Sequence, residues 1–150
     1  MRTKIGDVFM IKINKGYGCF QLVSSNKFEG ELIKVFYKIY DIEPISIEEI
    51  VSNDFYFVGF PLKYALKRNL VTQIGNSSLP KDFILPKYMR EKHVIGGNHL
   101  GWYIVNRDTL QRTFVEKLKI EQRKLSPHGI INDTYLIERF EEDWRLEEWI

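Results

Sequence analysis

Three histidines, one cysteine and a run of three adjacent acids are the residues of this 150-residue chain that could do chemistry. The stretch "HVIGGNH" places His93 and His99 six positions apart around two glycines, and His128 lies far downstream in "SPHG". A zinc site needs three or four ligands in compatible geometry, and no HExxH or CxxC spacing joins these histidines to Cys19 or Asp108. Surface hydrogen bonding is the better expectation for the loop histidines, so no metal and no cofactor is expected. "VIGGNHLG" is rich in glycine, but it has neither the GxxxxGK[ST] nor the GxGxxG order of a phosphate-binding loop. No GxSxG marks a serine nucleophile. Cys19 sits in the apolar run "GYGCFQL", where an inert buried thiol is expected. Glu141, Glu142 and Asp143 are consecutive, so on a helix they point in different directions, and a solvated face is expected of them. No catalytic constellation emerges, and the chain is expected not to be an enzyme.

The elements that would position these residues are mostly strands. Residues 7–13 alternate, with Phe9, Ile11 and Ile13 on one face and Val8, Met10 and Lys12 on the other. Residues 17–23 follow a short connection in which Gly16 can supply a positive φ, the pattern of a hairpin. Gly18 inside the second strand marks a bulge or a close approach of another backbone. Residues 31–42 form the clearest strand, with Ile33, Val35, Tyr37 and Ile39 on one face and a solvent face carrying Lys34 and Lys38. Ser46 is placed to cap a short helix ending near Val51, with Glu49 at the capping-box position. Residues 55–60, 70–74 and 101–106 are further strand candidates, whereas 77–100 looks like a long irregular stretch of the kind that often carries function. Residues 113–124 are ambiguous. Asn132 can cap a last helix, with Leu136, Ile137, Phe140 and Trp144 as its apolar stripe. Strands first and a helix last predict an α+β fold: a small, strongly bent or barrel-like, mainly antiparallel sheet with a C-terminal helix packed on it.

A single domain over residues 1–150 is expected from the length. Aromatics at 14% favour a β-rich core or a binding surface. The net charge of +2 is unevenly spread: residues 132–150 carry seven acids against two bases, a net of −5, on a chain whose remainder is basic. One cysteine permits no intramolecular disulfide, and with no signal-peptide pattern a cytoplasmic location is expected. No apolar run approaches the roughly 18 residues of a membrane span, so no membrane partner is expected.

The opening "GDVFMIKINKGYGCFQLV" resembles the start of the immunity protein 26 family of bacterial polymorphic toxin systems. Members often begin with a Gly-Asp-x-Phe strand, a polar turn and a Tyr-Gly-x-x-x-x-Val strand, and Gly6, Asp7, Phe9, Tyr17, Gly18 and Val23 fit that pattern. "IKVFYKIYD" at 33–41 resembles the following strand, and "GWYIV" at 101–105 a later tryptophan-containing one. "LSPHGIINDTYLIERFEEDW" at 125–144 is similar to the closing helix and terminal tryptophan region, while the resemblance does not extend through 61–100. The resemblance implies a non-catalytic protein that binds and neutralises one cognate toxin domain. The acidic end suits a basic partner, such as a basic nuclease. The expected toxin-facing residues are Glu138, Glu141, Glu142, Asp143, Trp144, Glu147, Glu148 and Trp149, the acids steering encounter and the tryptophans slowing release.

Two other readings stand beside this one. A Gly-Asp-aromatic opening also resembles the first strand of small barrel ribonuclease toxins, from which this chain departs by its acidic end and by having no recognisable catalytic pair. A nucleic-acid-binding module would use Lys63, Lys67 and Arg68, with the 112–124 segment of net charge +3 and with Tyr64 and Phe114 to stack on bases. Lys/Glu mixtures of this kind usually mark solvated faces, and nucleic acid is not the expected partner.

Overall fold

The computed structural model describes residues 2–44 and 46–150. The chain forms two compact units, one made of residues up to Phe83 together with Ile130–Trp144, the other of Ile84–Gly129 and Arg145–Ile150. The architecture is α+β, as the strand-then-helix order predicts, and the sheets are open rather than closed into a barrel.

The first unit is built on a five-stranded antiparallel sheet: β1 (Asp7–Ile13), β2 (Gly16–Asn26), β3 (Gly30–Tyr40), β4 (Phe55–Gly59) and β5 (Val71–Asn76), in spatial order β4-β3-β2-β1-β5. The opening hairpin pairs Phe9 with Phe20 and Ile11 with Gly18. Gly16 closes its two-residue turn at φ +137, with the Tyr40 carbonyl where a Cβ would have to go. Both faces of this sheet are covered. On one, α1 (Ile47–Val51) sets Ile50 against Val8, Cys19 and Phe36. On the other, Phe9 stacks on Phe20 and Phe20 meets Phe60, each at 5.3 Å between ring centres. There α3 (Asp133–Glu141) lays Phe140 on Gly18. Two-faced burial explains why Val8 and Phe9, on opposite sides of one strand, are both fully buried.

Several local expectations hold. Ser46 caps α1 by accepting from the Glu49 amide at 3.3 Å, and Asn132 caps α3 by accepting from the Tyr135 amide at 2.8 Å. The capping box is only half made, because the Glu49 carboxylate is held by Lys38, Tyr40 and Asn53 instead. Other expectations are corrected. Lys34 is buried at 6% exposure, not on a solvent face: its amine lies 4.4 and 4.8 Å from the ring centres of Phe55 and Phe83. Burial there lowers its pKa. What approaches Gly18 is the Phe140 ring rather than a backbone, and the strand also shifts register between Gly18 and Phe20. A further helix, α2 (Leu62–Lys67), follows Pro61, with Leu62, Ala65 and Leu66 as its buried face.

The second unit is a three-stranded antiparallel sheet of β6 (Tyr88–Ile95), β7 (Asn98–Asn106) and β8 (Arg112–Val115). The stretch 77–100, expected to be irregular, is a strand from Tyr88 onward. Gly96 and Gly97, both at positive φ, are the two-residue turn of the β6–β7 hairpin. The strand is hard to see in sequence because Met89 and Arg90, consecutive and on opposite faces, are both buried. The ambiguous 113–124 segment divides into β8 and a short 3-10 turn at Glu121–Lys124. No helix among the described residues is long and apolar enough to cross a membrane.

Candidate functional site

The end of α3 gathers five of the eight residues expected to face a partner. Glu138, Glu142 and Asp143 are exposed, and Glu141 is half-buried, accepting from the Asn14 amide at 2.6 Å. Trp144 is not on the helical stripe, which ends with the helix at Glu141. Asp143 instead adopts a left-handed φ of +53, and the Trp144 amide donates back to the Arg139 carbonyl at 3.0 Å. This six-to-one closure is a Schellman turn with aspartate where glycine is usual. It brings the Trp144 ring over Arg139, 4.2 Å from the guanidinium carbon. Glu147, Glu148 and Trp149 belong to the second unit, where both acids are exposed and Trp149 is half-buried.

Arg139 is the chemically unusual member of this region. It is 7% exposed and enclosed by the rings of Trp144, Tyr135 and Tyr56 at 4.2, 4.7 and 5.6 Å. Tyr135 lies one helical turn before it, and Tyr56 comes from β4. Its Nε and Nη1, and the Tyr56 hydroxyl, have no hydrogen-bond partner. Burial pushes the Tyr56 phenol up to about 12, against the charge of Arg139 and the approach of its guanidinium to the hydroxyl, which falls short of hydrogen-bond geometry. A small slot beside these groups is lined by Val35, Tyr37, Tyr56, Arg139, Asp143 and Trp144, among others.

In the second unit two arginines organise the sheet. Arg90 is fully buried; it donates to the carbonyls of Leu125, Arg123, Leu146 and Trp149 at 2.8, 2.9, 2.7 and 2.5 Å. The indoles of Trp102 and Trp149 lie 5.0 and 4.7 Å from its guanidinium carbon. Arg112 grips Glu91 with bonds of 2.8 and 3.4 Å, and Nδ1 of His128 reaches the same carboxylate at 3.2 Å. Burial raises the Glu91 pKa, but the hydrogen bonds from Arg112 and His128 outweigh it and hold the carboxyl below its usual value. The guanidinium and the imidazole lie 21 and 37 positions from the carboxylate in sequence, so no motif spacing signals them.

The other sequence candidates do not converge. His93 packs on Tyr103 and Phe114, whereas His99 bonds the Gly101 carbonyl at 2.8 Å. No group of three metal-ligating side chains exists among the described residues. Cys19 is buried, and burial first, then the nearby Glu49 charge, raises its pKa to about 12, the inert thiol expected. On α2, Arg68 stacks on Tyr64 at 4.8 Å. Arg139 and Arg90 escape sequence reasoning because a lone arginine in a mixed segment looks solvated. The one available signal for Arg139 is its place between Leu136 and Phe140, on the apolar side of α3.

The chain matches no protein-family model, no curated protein and no solved structure.

Proposed function

We propose that this protein is a non-catalytic inhibitor of the immunity type, which binds one cognate toxin domain through the acidic end of α3. The observation that carries this reading is the use made of the residues that resemble the immunity family. Asp7 accepts from the Lys4 amide and the Asn76 side chain, at 2.8 and 2.9 Å. Phe9 and Val23 are core residues, and Gly18 seats the last helix. These positions build a frame and present no reactive group. Recognition then falls to what the frame displays, and the exposed acids Glu138, Glu142 and Asp143 suit a basic partner. A cytoplasmic location is part of the same proposal.

The test is co-purification of the tagged chain with a catalytically inactivated copy of the toxin domain encoded beside it. A one-to-one complex of nanomolar affinity supports the reading. A folded, monodisperse chain that captures none of it overturns the reading.

A second reading, cleavage of RNA, is favoured by one observation, the Glu91–His128–Arg112 cluster. A carboxylate, an imidazole and a guanidinium for phosphate are the groups such a reaction needs. RNA cleavage by the purified chain, abolished in Glu91→Gln with the fold retained, would establish it. An inactive wild-type chain removes it.

A further inference from the structure

Arg139 poses a problem that its surroundings do not solve. Buried guanidinium N–H groups are nearly always hydrogen-bonded, because a bare one gives up its hydration with no return. Here Nε and Nη1 are both bare, as is the Tyr56 hydroxyl close by. The faces of Trp144, Tyr135 and Tyr56 favour a cation but do not replace acceptors in the guanidinium plane. The slot beside them has room for about one water, so a larger group enters only with a shift of the side chains that line it.

We infer that this slot is an anion site that accepts one carboxylate, with Arg139 as its cation and Tyr56 as a second donor. The guanidinium has two edges that can grip a carboxylate with paired bonds, Nε with Nη2 and Nη1 with Nη2. Each edge includes one of the bare nitrogens, so a carboxylate on either satisfies a donor that now lacks a partner. The Trp144 ring lies 4.2 Å from the guanidinium carbon, which makes its indole a reporter of occupancy. Asp143 on the rim opposes a second negative charge and holds the affinity down. The carboxylate can come from a free small acid or from an acidic side chain of a protein. The site stands whether or not the partner of this chain is a toxin.

The test is a titration of the full-length ¹⁵N-labelled protein with acetate, at constant ionic strength held with sodium chloride. The Arg139 Nε–H and Trp144 indole N–H signals should shift saturably, with a midpoint on the order of a millimolar. Arg139→Met should abolish the Trp144 shift, and Asp143→Asn should tighten binding several-fold. If Arg139→Met fails to fold, Tyr56→Phe serves in its place and should weaken acetate several-fold. N-acetyl-glutamate amide distinguishes the sources. Saturation by both compounds supports a slot open to protein side chains, and saturation by acetate alone supports a small-acid site. Absence of any saturable shift at Arg139 Nε–H, or a Trp144 shift that persists in Arg139→Met, overturns the inference.

Discussion

The Phe140 ring rests directly on Gly18: a Cβ built on that glycine would lie 2.5 Å from the ring. This contact joins the last helix to the second strand, across most of the sequence, and it exists because β2 offers no side chain at that point. Gly18→Ala should therefore overpack the interface and cost about 1–3 kcal/mol. Urea denaturation of Gly18→Ala, of Phe140→Leu and of the double variant checks this. The double variant should lose less than the sum of the singles, and strict additivity would show that the two residues do not share one space.

Arg90 is the corresponding tie in the second unit, holding four carbonyls from residues 123–149. Arg90→Met removes the donor and leaves buried acceptors bare, so stability should fall by at least about 2 kcal/mol. The emission of Trp102 and Trp149, both packed on this guanidinium, should shift to the red. An unchanged midpoint and spectrum would contradict that role.

Glu91 sets an acid limit. Its carboxyl is held below the usual value, so the charged form is favoured more in the folded than in the unfolded chain. Its stabilising contribution is complete above about pH 4.5 and is lost as pH falls through the lower folded value. Glu91→Gln should be less stable at neutral pH and show a flatter acid limb in thermal melts. An acid limb as steep as that of the wild type would assign the effect to other groups.

Cys19 should be chemically silent while the protein is folded. Burial raises its pKa to about 12, so thiolate is scarce at pH 8 and the sulfur is shielded as well. Labelling by a disulfide reagent should proceed to one equivalent only in denaturant. Rapid labelling of the native chain would show that the α1 side of the sheet opens readily.

The exposed acids at the end of α3 should govern association with a basic partner. Glu138→Lys combined with Glu142→Lys leaves the left-handed Asp143 and the Asn14-bound Glu141 untouched. In low salt, association with the inactivated toxin domain should slow about tenfold, with a smaller change in dissociation. An unaltered association rate would remove this surface from the interface.

Local signals carried the elements whose turns and ends are chemically marked. The β1–β2 hairpin, the Ser46 and Asn132 caps and the strand-then-helix order are all legible, because alternation, glycine and capping residues act over a few positions. Elements with charged residues in buried places were not legible. Tyr88–Ile95 looks irregular because Arg90 breaks the apolar pattern, and only the carbonyls of residues 123–149 explain how that charge is buried. Lys34 looks solvated until Phe55 and Phe83 cover it. The candidate site divides in the same way. The acids and Trp144 stand out in the sequence, but their neighbour Arg139 does not. Its bare nitrogens arise from rings on β4 and α3, and such long-range enclosure leaves no periodic trace along the chain.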